Sequence, residues 1–392
     1  MYQTILRSGM ALLLFASSAY AQDDLIAKVA NNEGEDGFEF EVIIDLEATD
    51  VKNQGRSGTC WSYSSNSFLE SEMIRLGREP VDISEMQVVR MTYVDKAEKY
   101  VRLHGYLNFG QGGALPDVLY TMDKYGLLPQ SLYEGLVIGE EVNMHGEMEA
   151  VLKGIIDGVK ANNNGRISPV WRKTVDATLD AYLGELPASF KWEGKSYTTR
   201  TFADEVVGLH ADDYIQLTSF THHPMHEKVV IQVPDNWTWW PSFNVTLDEM
   251  MSTLDEALEN GYTVAWAGDV SEKGFSVKNG VAIVPQTDYQ SMTDEQRANM
   301  FNGPQGELEI DAALRQKAYD NYETTDDHGM HITGVVKDQE GNKYYITKNS
   351  WGTKYGFDGY LYMSEAFVKY KTLSIMIHRD ALRKSVAKNL GM

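Results

Sequence analysis

The stretch at residues 51–62 reads Val51-Lys-Asn-Gln54-Gly55-Arg-Ser-Gly58-Thr-Cys60-Trp61-Ser62. It holds Cys60, the only cysteine of a 392-residue chain. Glycines interrupt the segment before this cysteine, as is typical of a loop. Residues 61–76 then show the apolar spacing of a helix, with Leu69 and Met73 on one face. The pattern therefore places Cys60 at the first turn of a helix.

A single cysteine cannot form a disulfide within its own chain. It can form an intermolecular bridge, pack as a buried apolar group, or serve as a reactive thiol. The first turn of a helix favours the third of these, because unpaired N–H groups and the helix dipole stabilise an anion there. We therefore expect a lowered pKa for the Cys60 thiol. The amide of Gln54, together with the Cys60 backbone N–H, could hold an oxyanion.

A thiolate nucleophile needs a proton partner, and the C-terminal third of the chain offers one. His328 lies in Asp327-His328-Gly329-Met330-His331, and Asn349 begins Asn349-Ser350-Trp351-Gly352. A turn at Gly341-Asn342 would pair the two strands as a hairpin, so that Asn349 could orient an imidazole. Side chains alternate along a strand, so His328 and His331 face opposite ways. We expect His328 to be the base.

Composition limits the class of protein. Hydrophobic residues make up 43% of the chain and charged residues 23%, as in ordinary globular proteins. This excludes a disordered chain, a collagen-like rod and a disulfide-dense miniprotein. The formal net charge of −22 argues against nucleic acid as a partner. No metal or organic cofactor is expected for thiol chemistry.

The first 21 residues have the pattern of a secretory signal peptide. Arg7 precedes the apolar run Met10–Ala16, and Ala19-Tyr20-Ala21 fits a cleavage site before Gln22. The alternatives are an uncleaved anchor and a buried N-terminal helix. The run is shorter than the ~20 residues that span a bilayer. We expect an exported, periplasmic or secreted, protein without membrane insertion.

Runs of helical pattern followed by runs of strand pattern indicate an α+β fold. The predicted organisation is a signal peptide (1–21), an acidic N-terminal extension (22–50), a helical lobe with the nucleophile (51–135), an insertion or accessory lobe (136–235), a β-rich lobe with the histidine and asparagine (236–379) and a C-terminal tail (380–392).

The motifs around Gln54, Cys60, His328 and Asn349, in that order, resemble the four signatures of papain-like cysteine peptidases. Gly112-Gly113 resembles the paired glycines that hold the substrate backbone extended in that family. The resemblance implies a helical lobe and an antiparallel β-barrel lobe with the active-site cleft between them. It also implies that Trp351 shields the His–Asn pair from water.

Spacing points to one branch of the family. Cys60 and His328 are 268 residues apart, against ~130–150 in the papain-type signature. Ser57 stands where many papains have a disulfide cysteine. A cysteine-poor member with a long insertion resembles the bleomycin hydrolase and aminopeptidase C branch. This implies peptide substrates and an aminopeptidase activity, and a homo-oligomer, a hexamer, by resemblance alone.

Two alternatives stay open. In that branch a long C-terminal arm lies in the cleft and restricts cutting to free amino ends, whereas here only Asp380–Met392 follow Arg379. A shorter arm would favour an endopeptidase or a dipeptide-releasing enzyme. The second alternative is a non-catalytic binding protein on a papain-like scaffold.

Two further motifs have simpler interpretations than ligand binding. His222-His223-Pro-Met-His226 could hold a metal, but no acidic or cysteine ligands accompany it at metal spacing, so a solvated loop is expected. Trp237-x-Trp239-Trp240 could stack on sugars or bases, but such tryptophans more often cover a domain junction.

Overall fold

The structure, a computed structural model, describes residues 37–162 and 165–392. The predicted signal peptide and most of the acidic extension lie outside these residues. The α-helices are α1 (Cys60–Arg75), α2 (Glu85–Arg102), α3 (Asp117–Tyr125), α4 (Gly146–Lys160), α5 (Val170–Leu183), α6 (Thr199–Phe202), α7 (Leu247–Glu259), α8 (Asp294–Ala298), α9 (Ala312–Asp320), α10 (Glu365–Lys371) and α11 (Lys384–Asn389).

The strands are β1 (Phe40–Asp45), β2 (Phe190–Trp192), β3 (Lys195–Tyr197), β4 (Tyr214–Thr218), β5 (Glu227–Val230), β6 (Pro241–Asn244), β7 (Val264–Gly268), β8 (Phe275–Ser276), β9 (Val281–Ala282), β10 (His328–Asp338), β11 (Lys343–Lys348), β12 (Tyr360–Ser364) and β13 (Thr372–His378). All except β2 and β3 form one sheet, in the order β5-β6-β4-β13-β7-β10-β11-β12-β9-β8, with β1 also paired to β10. The predicted α+β architecture is confirmed.

The helical lobe is held by local signals that the sequence displays. The Ser84 side chain accepts a hydrogen bond from the Gln87 backbone N–H and so caps α2. Pro116 precedes the first residue of α3, and Gly126 ends that helix with a φ of 75°, a conformation that suits glycine. These caps fix where α2 and α3 begin and end around the buried helix α1.

The sheet lobe has its own apolar core. A capping box joins Thr246 and Glu249 at the start of α7, as the Thr-x-x-Glu pattern predicts. Helix α7 buries Met250 and Leu254 against Trp266 of β7 and Ile375 of β13. Strand β13, between β4 and β7 in the sheet, was not predicted from the sequence.

The hairpin of β10 and β11 forms as predicted. The two strands are antiparallel, and the backbone N–H of Gly341 donates to the Asp338 carbonyl at 2.9 Å to close the turn. Strand β10 also packs on α1, and this contact joins the two lobes. An added Cβ at Gly329 would lie 2.8 Å from Ser64 Oγ and 3.3 Å from Trp61 Cα. Both distances are shorter than those of most Cβ contacts, so a glycine suits this close approach of strand and helix.

Residues 136–235 contribute to both lobes. Helices α4 and α5 pack in the same apolar core as α1 and α2, through side chains such as Leu152 and Leu179. Strands β4 and β5 join the large sheet. Helix α4 was not predicted from the sequence, and the domain boundaries stay a prediction. Among the described residues, every helix is too short or too polar to cross a bilayer.

Candidate active site

Cys60 is the first residue of α1, as predicted, and only 8% of its surface is exposed. The glycine-containing loop before it lets the chain enter the helix, and Thr59 takes the N-cap position without a side-chain hydrogen bond. The backbone N–H of Gly329 donates to the Cys60 sulfur. The thiol therefore lies where α1 of the helical lobe meets β10 of the sheet lobe.

The expected lowering of the Cys60 pKa is not what the structure gives. Burial raises this pKa to about 12. Hydrogen bonds from the backbone N–H groups of Gly329 and Trp61 lower it, while the carboxyl groups of Asp235 and Asp326 raise it. The helix terminus acts in the expected direction, but desolvation outweighs it. The free thiol is thus neutral unless a base takes its proton.

His328 and Asn349 form the predicted pair. Nε2 of His328 lies 2.8 Å from Oδ1 of Asn349. Within the described residues, the buried Nδ1 of His328 has no hydrogen-bond partner, so this nitrogen is available to exchange a proton. Burial lowers the His328 pKa to about 4, and the bond to Asn349 opposes that shift. The imidazole is therefore a neutral base at ordinary pH.

Trp351 covers the histidine. Its ring centroid lies 4.6 Å from that of His328, and 5% of Trp351 is exposed. An indole in this position excludes water from the His–Asn hydrogen bond and strengthens it. The geometry agrees with the shielding role that the resemblance implies.

His331 faces the other side of β10, as the strand alternation predicts. Its Nδ1 lies 3.0 Å from Ser67 Oγ of α1, and its ring meets the Phe68 ring edge to face. The residue is fully buried. His331 thus packs between the lobes, away from the His328–Asn349 pair.

Gln54 is fully buried and tied to both lobes. Its Nε2 donates to the Ser57 carbonyl at 2.7 Å, and its Oε1 accepts from Ser350 Oγ at 2.5 Å. An amide nitrogen has two N–H groups, so one remains for a substrate oxygen. Ser350, the residue after Asn349, therefore helps to orient Gln54, the predicted oxyanion donor.

Gly112 and Gly113 lie beside the nucleophile loop, because Gln111 connects the two segments. The Gln111 side chain accepts from the Gly58 N–H at 2.8 Å, and its carbonyl accepts from Trp61 Nε1 at 3.0 Å. An added Cβ at Gly113 would lie 2.7 Å from the Trp61 ring. The structure thus brings both glycines to the predicted cleft.

Sequence reasoning missed a carboxyl group in this region. Asp235 lies so close to Gly112 that an added Cβ there would be 1.9 Å from the Asp235 Oδ2. Asp235 comes more than a hundred residues after the glycines, in a segment without a recognisable motif. Nothing in the sequence alone could have placed it here.

A second missed feature is a charged cluster between the lobes. Lys52 forms ion pairs with Glu85 at 2.5 Å, with Glu70 at 3.9 Å and with Asp82. Burial lowers the Lys52 pKa, but the three carboxylates outweigh burial and raise it. Burial raises the Glu85 pKa to about 7 against the opposing charge of Lys52. Lys52 therefore supplies the positive charge that these acidic groups need.

The two remaining motifs have structural contacts. In the histidine-rich segment, His222 Nδ1 lies 3.1 Å from Gln316 Oε1, and His226 Nε2 lies 2.8 Å from Glu249. Trp237 is buried in the helical lobe, where its Nε1 donates to Asp117 Oδ2 at 2.6 Å. Trp237 thus fixes its loop to α3, as a tryptophan at a domain junction would.

Comparisons with known proteins agree with the fold and the motifs. Aminopeptidase C of Streptococcus thermophilus is 22% identical over 93% of this chain and 88% of its own length. Aminopeptidase C of Lactococcus lactis subsp. cremoris is 21% identical over 87% of this chain and 83% of its own length. The crystal structure of PepW from Lactobacillus rhamnosis superposes with a TM-score of 0.68 at 16% identity, covering 94% of this chain and 86% of the other.

Fold, motifs and relatives together define a papain-like cysteine peptidase. The model of the Peptidase C1-like family matches residues 182–392, more than half of the chain, and the chain belongs to that family. His328 and Asn349 lie inside the matched segment, whereas Gln54 and Cys60 precede it. The predicted resemblance to the aminopeptidase C branch is confirmed.

Proposed function

We propose that the protein is an exported aminopeptidase that hydrolyses short peptides through a Cys60 thiolate. One observation carries the catalytic part of the proposal: His328 is hydrogen-bonded to Asn349 at 2.8 Å, and the adjacent Gly329 N–H donates to the Cys60 sulfur. A base with one ring nitrogen fixed and the other available, next to a thiol, is the arrangement that covalent acyl transfer requires.

The proposed reaction has two halves. The Cys60 sulfur attacks the peptide carbonyl carbon while its proton passes to His328, and Gln54 with the Cys60 N–H stabilises the oxyanion. The C–N bond then breaks, and the imidazolium of His328 gives its proton to the leaving amine. In the second half His328 takes a proton from water as the water oxygen attacks the thioester carbon, the C–S bond breaks to release the acid, and the imidazolium returns its proton to the Cys60 sulfur. Atoms, charge and protons balance without a cofactor.

Restriction to free amino ends is supported by the curated relatives, four of which are named aminopeptidase C. The C-terminal tail argues for the alternative. Asn389 Nδ2 donates to Glu249 at 2.9 Å, and Arg383 pairs with Glu256 at 2.9 Å, so α11 is attached to α7. If this tail does not reach the cleft, an endopeptidase or a dipeptide-releasing enzyme becomes the competing function.

One pair of substrates separates these functions. A fluorogenic peptide with a free amino end should be cleaved much faster than the same peptide with an acetylated end. Equal kcat/KM values for the two would eliminate the aminopeptidase in favour of an endopeptidase. Release of dipeptides, identified by mass spectrometry, would identify the third function.

Catalysis itself is tested by an epoxide that alkylates activated thiols. Stoichiometric labelling of Cys60, lost in His328→Ala, is expected. A thiol that stays inert in the presence of reductant would support the non-catalytic scaffold instead. Export is tested by fractionating expressing cells and sequencing the amino end of the mature protein, which should begin at Gln22. A protein retained in the cytosol with its first 21 residues would contradict export.

A further inference from the structure

The loop at residues 233–240 reaches from the strands of the sheet lobe to the helical lobe. Trp237 is its anchor, since only 3% of this residue is exposed and its indole N–H donates to Asp117 Oδ2 at 2.6 Å. The Trp237 ring also meets the Tyr120 ring of α3 edge to face, with centroids 5.8 Å apart. A loop fixed by a buried tryptophan holds its neighbouring side chains in defined positions.

Asp235, two residues before this anchor, lies directly above Gly112. Its Oδ2 would be 1.9 Å from an added Cβ at Gly112, and its Oδ1 accepts from Asn108 Nδ2 at 3.0 Å. Gly112 follows Gln111, which is bonded to the loop and indole beside Cys60. The carboxyl group is thus at the strip of backbone that the resemblance assigns to the substrate, within electrostatic reach of the nucleophile.

Too little positive charge surrounds this carboxyl group. Burial raises the Asp235 pKa, and the charge of Lys96 lowers it. The Lys96 ammonium is itself occupied by the carbonyls of Gly110 and Gly112. The carboxyls of Asp117 and Asp326 interact with Asp235 as like charges, and the buried Oδ1 of Asp117 has no hydrogen-bond partner among the described residues. A cationic ligand would supply the missing charge.

We propose that Asp235 binds the α-ammonium group of the substrate and so restricts cleavage to the amino end of peptides. The inference rests on the proposed aminopeptidase function and names the side chain that would bind the substrate's amino end. The terminal carboxylate is the other negative group that could serve, but α11 is attached to α7 through Asn389 and Arg383. An ammonium paired with Asp235 would lie at the glycine strip, with the scissile bond directed toward Cys60.

The test compares matched substrates in the full-length protein. Alanyl and dialanyl fluorogenic amides are each used with a free and with an acetylated amino end, and kcat/KM is measured for all four. The variants are Asp235→Asn, which keeps the size of the side chain and an acceptor for Asn108, and Asp248→Asn on the exposed first turn of α7 as a control. A third variant lacks Gly391 and Met392.

In the wild type the free-amine substrate should be preferred. Asp235→Asn should lower kcat/KM for that substrate by about 10- to 100-fold, the size of a charged hydrogen bond. The acetylated substrate has no charge to pair with Asp235, so its kcat/KM should fall far less. The ratio of kcat/KM for the free substrate to kcat/KM for the acetylated substrate should therefore approach one. Asp248→Asn and the shortened chain should keep the wild-type ratio. Titration with the epoxide counts folded, active enzyme in each sample.

Each other outcome overturns the proposal in a distinct way. If Asp235→Asn keeps the wild-type preference for the free-amine substrate, Asp235 is not the ammonium receptor, although the protein is still an aminopeptidase. If the shortened chain loses that preference, the terminal carboxylate is the receptor. If the wild-type enzyme cleaves the free and the acetylated substrates equally, both the aminopeptidase function and the proposed role of Asp235 are contradicted.

Discussion

Oδ1 of Asn349 accepts a hydrogen bond from Nε2 of His328 at 2.8 Å, and the same oxygen accepts from the Ser350 backbone N–H at 2.8 Å. Because an amide oxygen is only an acceptor, Nε2 of His328 carries the proton. Nδ1 is then the basic nitrogen. The tautomer that catalysis needs is fixed by the residue that follows β11.

Replacing Asn349 with alanine should therefore impair the chemical step. The buried Nε2–H loses its partner, which costs about 1–3 kcal/mol and corresponds to a fall in kcat of roughly 5- to 150-fold. KM should change little, since Asn349 acts through His328 and not on the substrate. Steady-state kinetics check this, with Asn342→Ala in the hairpin turn as a control. A raised KM with an unchanged kcat would contradict the orienting role.

Gln54→Ala tests the oxyanion donor. Loss of one such donor lowers kcat by about 10²- to 10³-fold in comparable sites. Ser350→Ala is the matched control, because it removes the hydroxyl that bonds to Gln54 Oε1 at 2.5 Å and leaves the amide in place. We expect a much smaller loss of kcat in that variant. Equal losses in both would mean that Gln54 has only a structural role.

The pH dependence of kcat/KM should report the buried histidine. The His328 pKa is lowered to about 4 by burial, so the imidazole remains an uncharged base until the pH falls through about 4. Below that pH it is protonated and cannot take the Cys60 proton, and activity is lost. Trp351→Ala admits water and should move this acid limb upward, toward the ordinary histidine value of 6.5. Trp171→Ala on α5, the control, should leave the acid limb where it is in the wild type. An acid limb near 6.5 in the wild type would contradict the prediction.

Lys52→Met should destabilise the protein without removing a catalytic group. The variant removes the ammonium that pairs with the buried Glu70 and Glu85 carboxylates, and Lys348 remains as the other cation that interacts with both. Breaking such a pair costs about 3–5 kcal/mol, measured as a change in the free energy of unfolding by denaturant. Lys337→Met, an exposed lysine on β10, is the control and should have little effect. Equal stability of the two variants would show that the cluster contributes nothing net.

The sequence was sufficient to place the residues whose positions depend on short patterns. The caps at Ser84 and Thr246, the start of α1 at Cys60 and the hairpin that brings Asn349 to His328 are all set by neighbours in the chain. The sign of the Cys60 pKa shift was predicted wrongly, because local sequence shows the helix terminus but not the burial that opposes it.

Contacts between distant segments could not be predicted in the same way. Asp235 lies next to Gly112 in a loop that Trp237 fixes to α3. Lys52 pairs with Glu85, a contact between two segments that no sequence motif links. Strand β13 has no pattern that distinguishes it from a buried helical segment of similar length. Such features follow from the packing of whole lobes.

Gly329 lies on β10 at the contact between the two lobes. The proposed nucleophile belongs to one lobe and the proposed base to the other, and between the lobes an added Cβ at Gly329 would lie 2.8 Å from Ser64 Oγ and 3.3 Å from Trp61 Cα. A large side chain at this position would press against Trp61 and Ser64, which follow Cys60 in α1. We therefore expect a large side chain at residue 329 to lower activity by displacing β10 from α1, while both lobes remain folded.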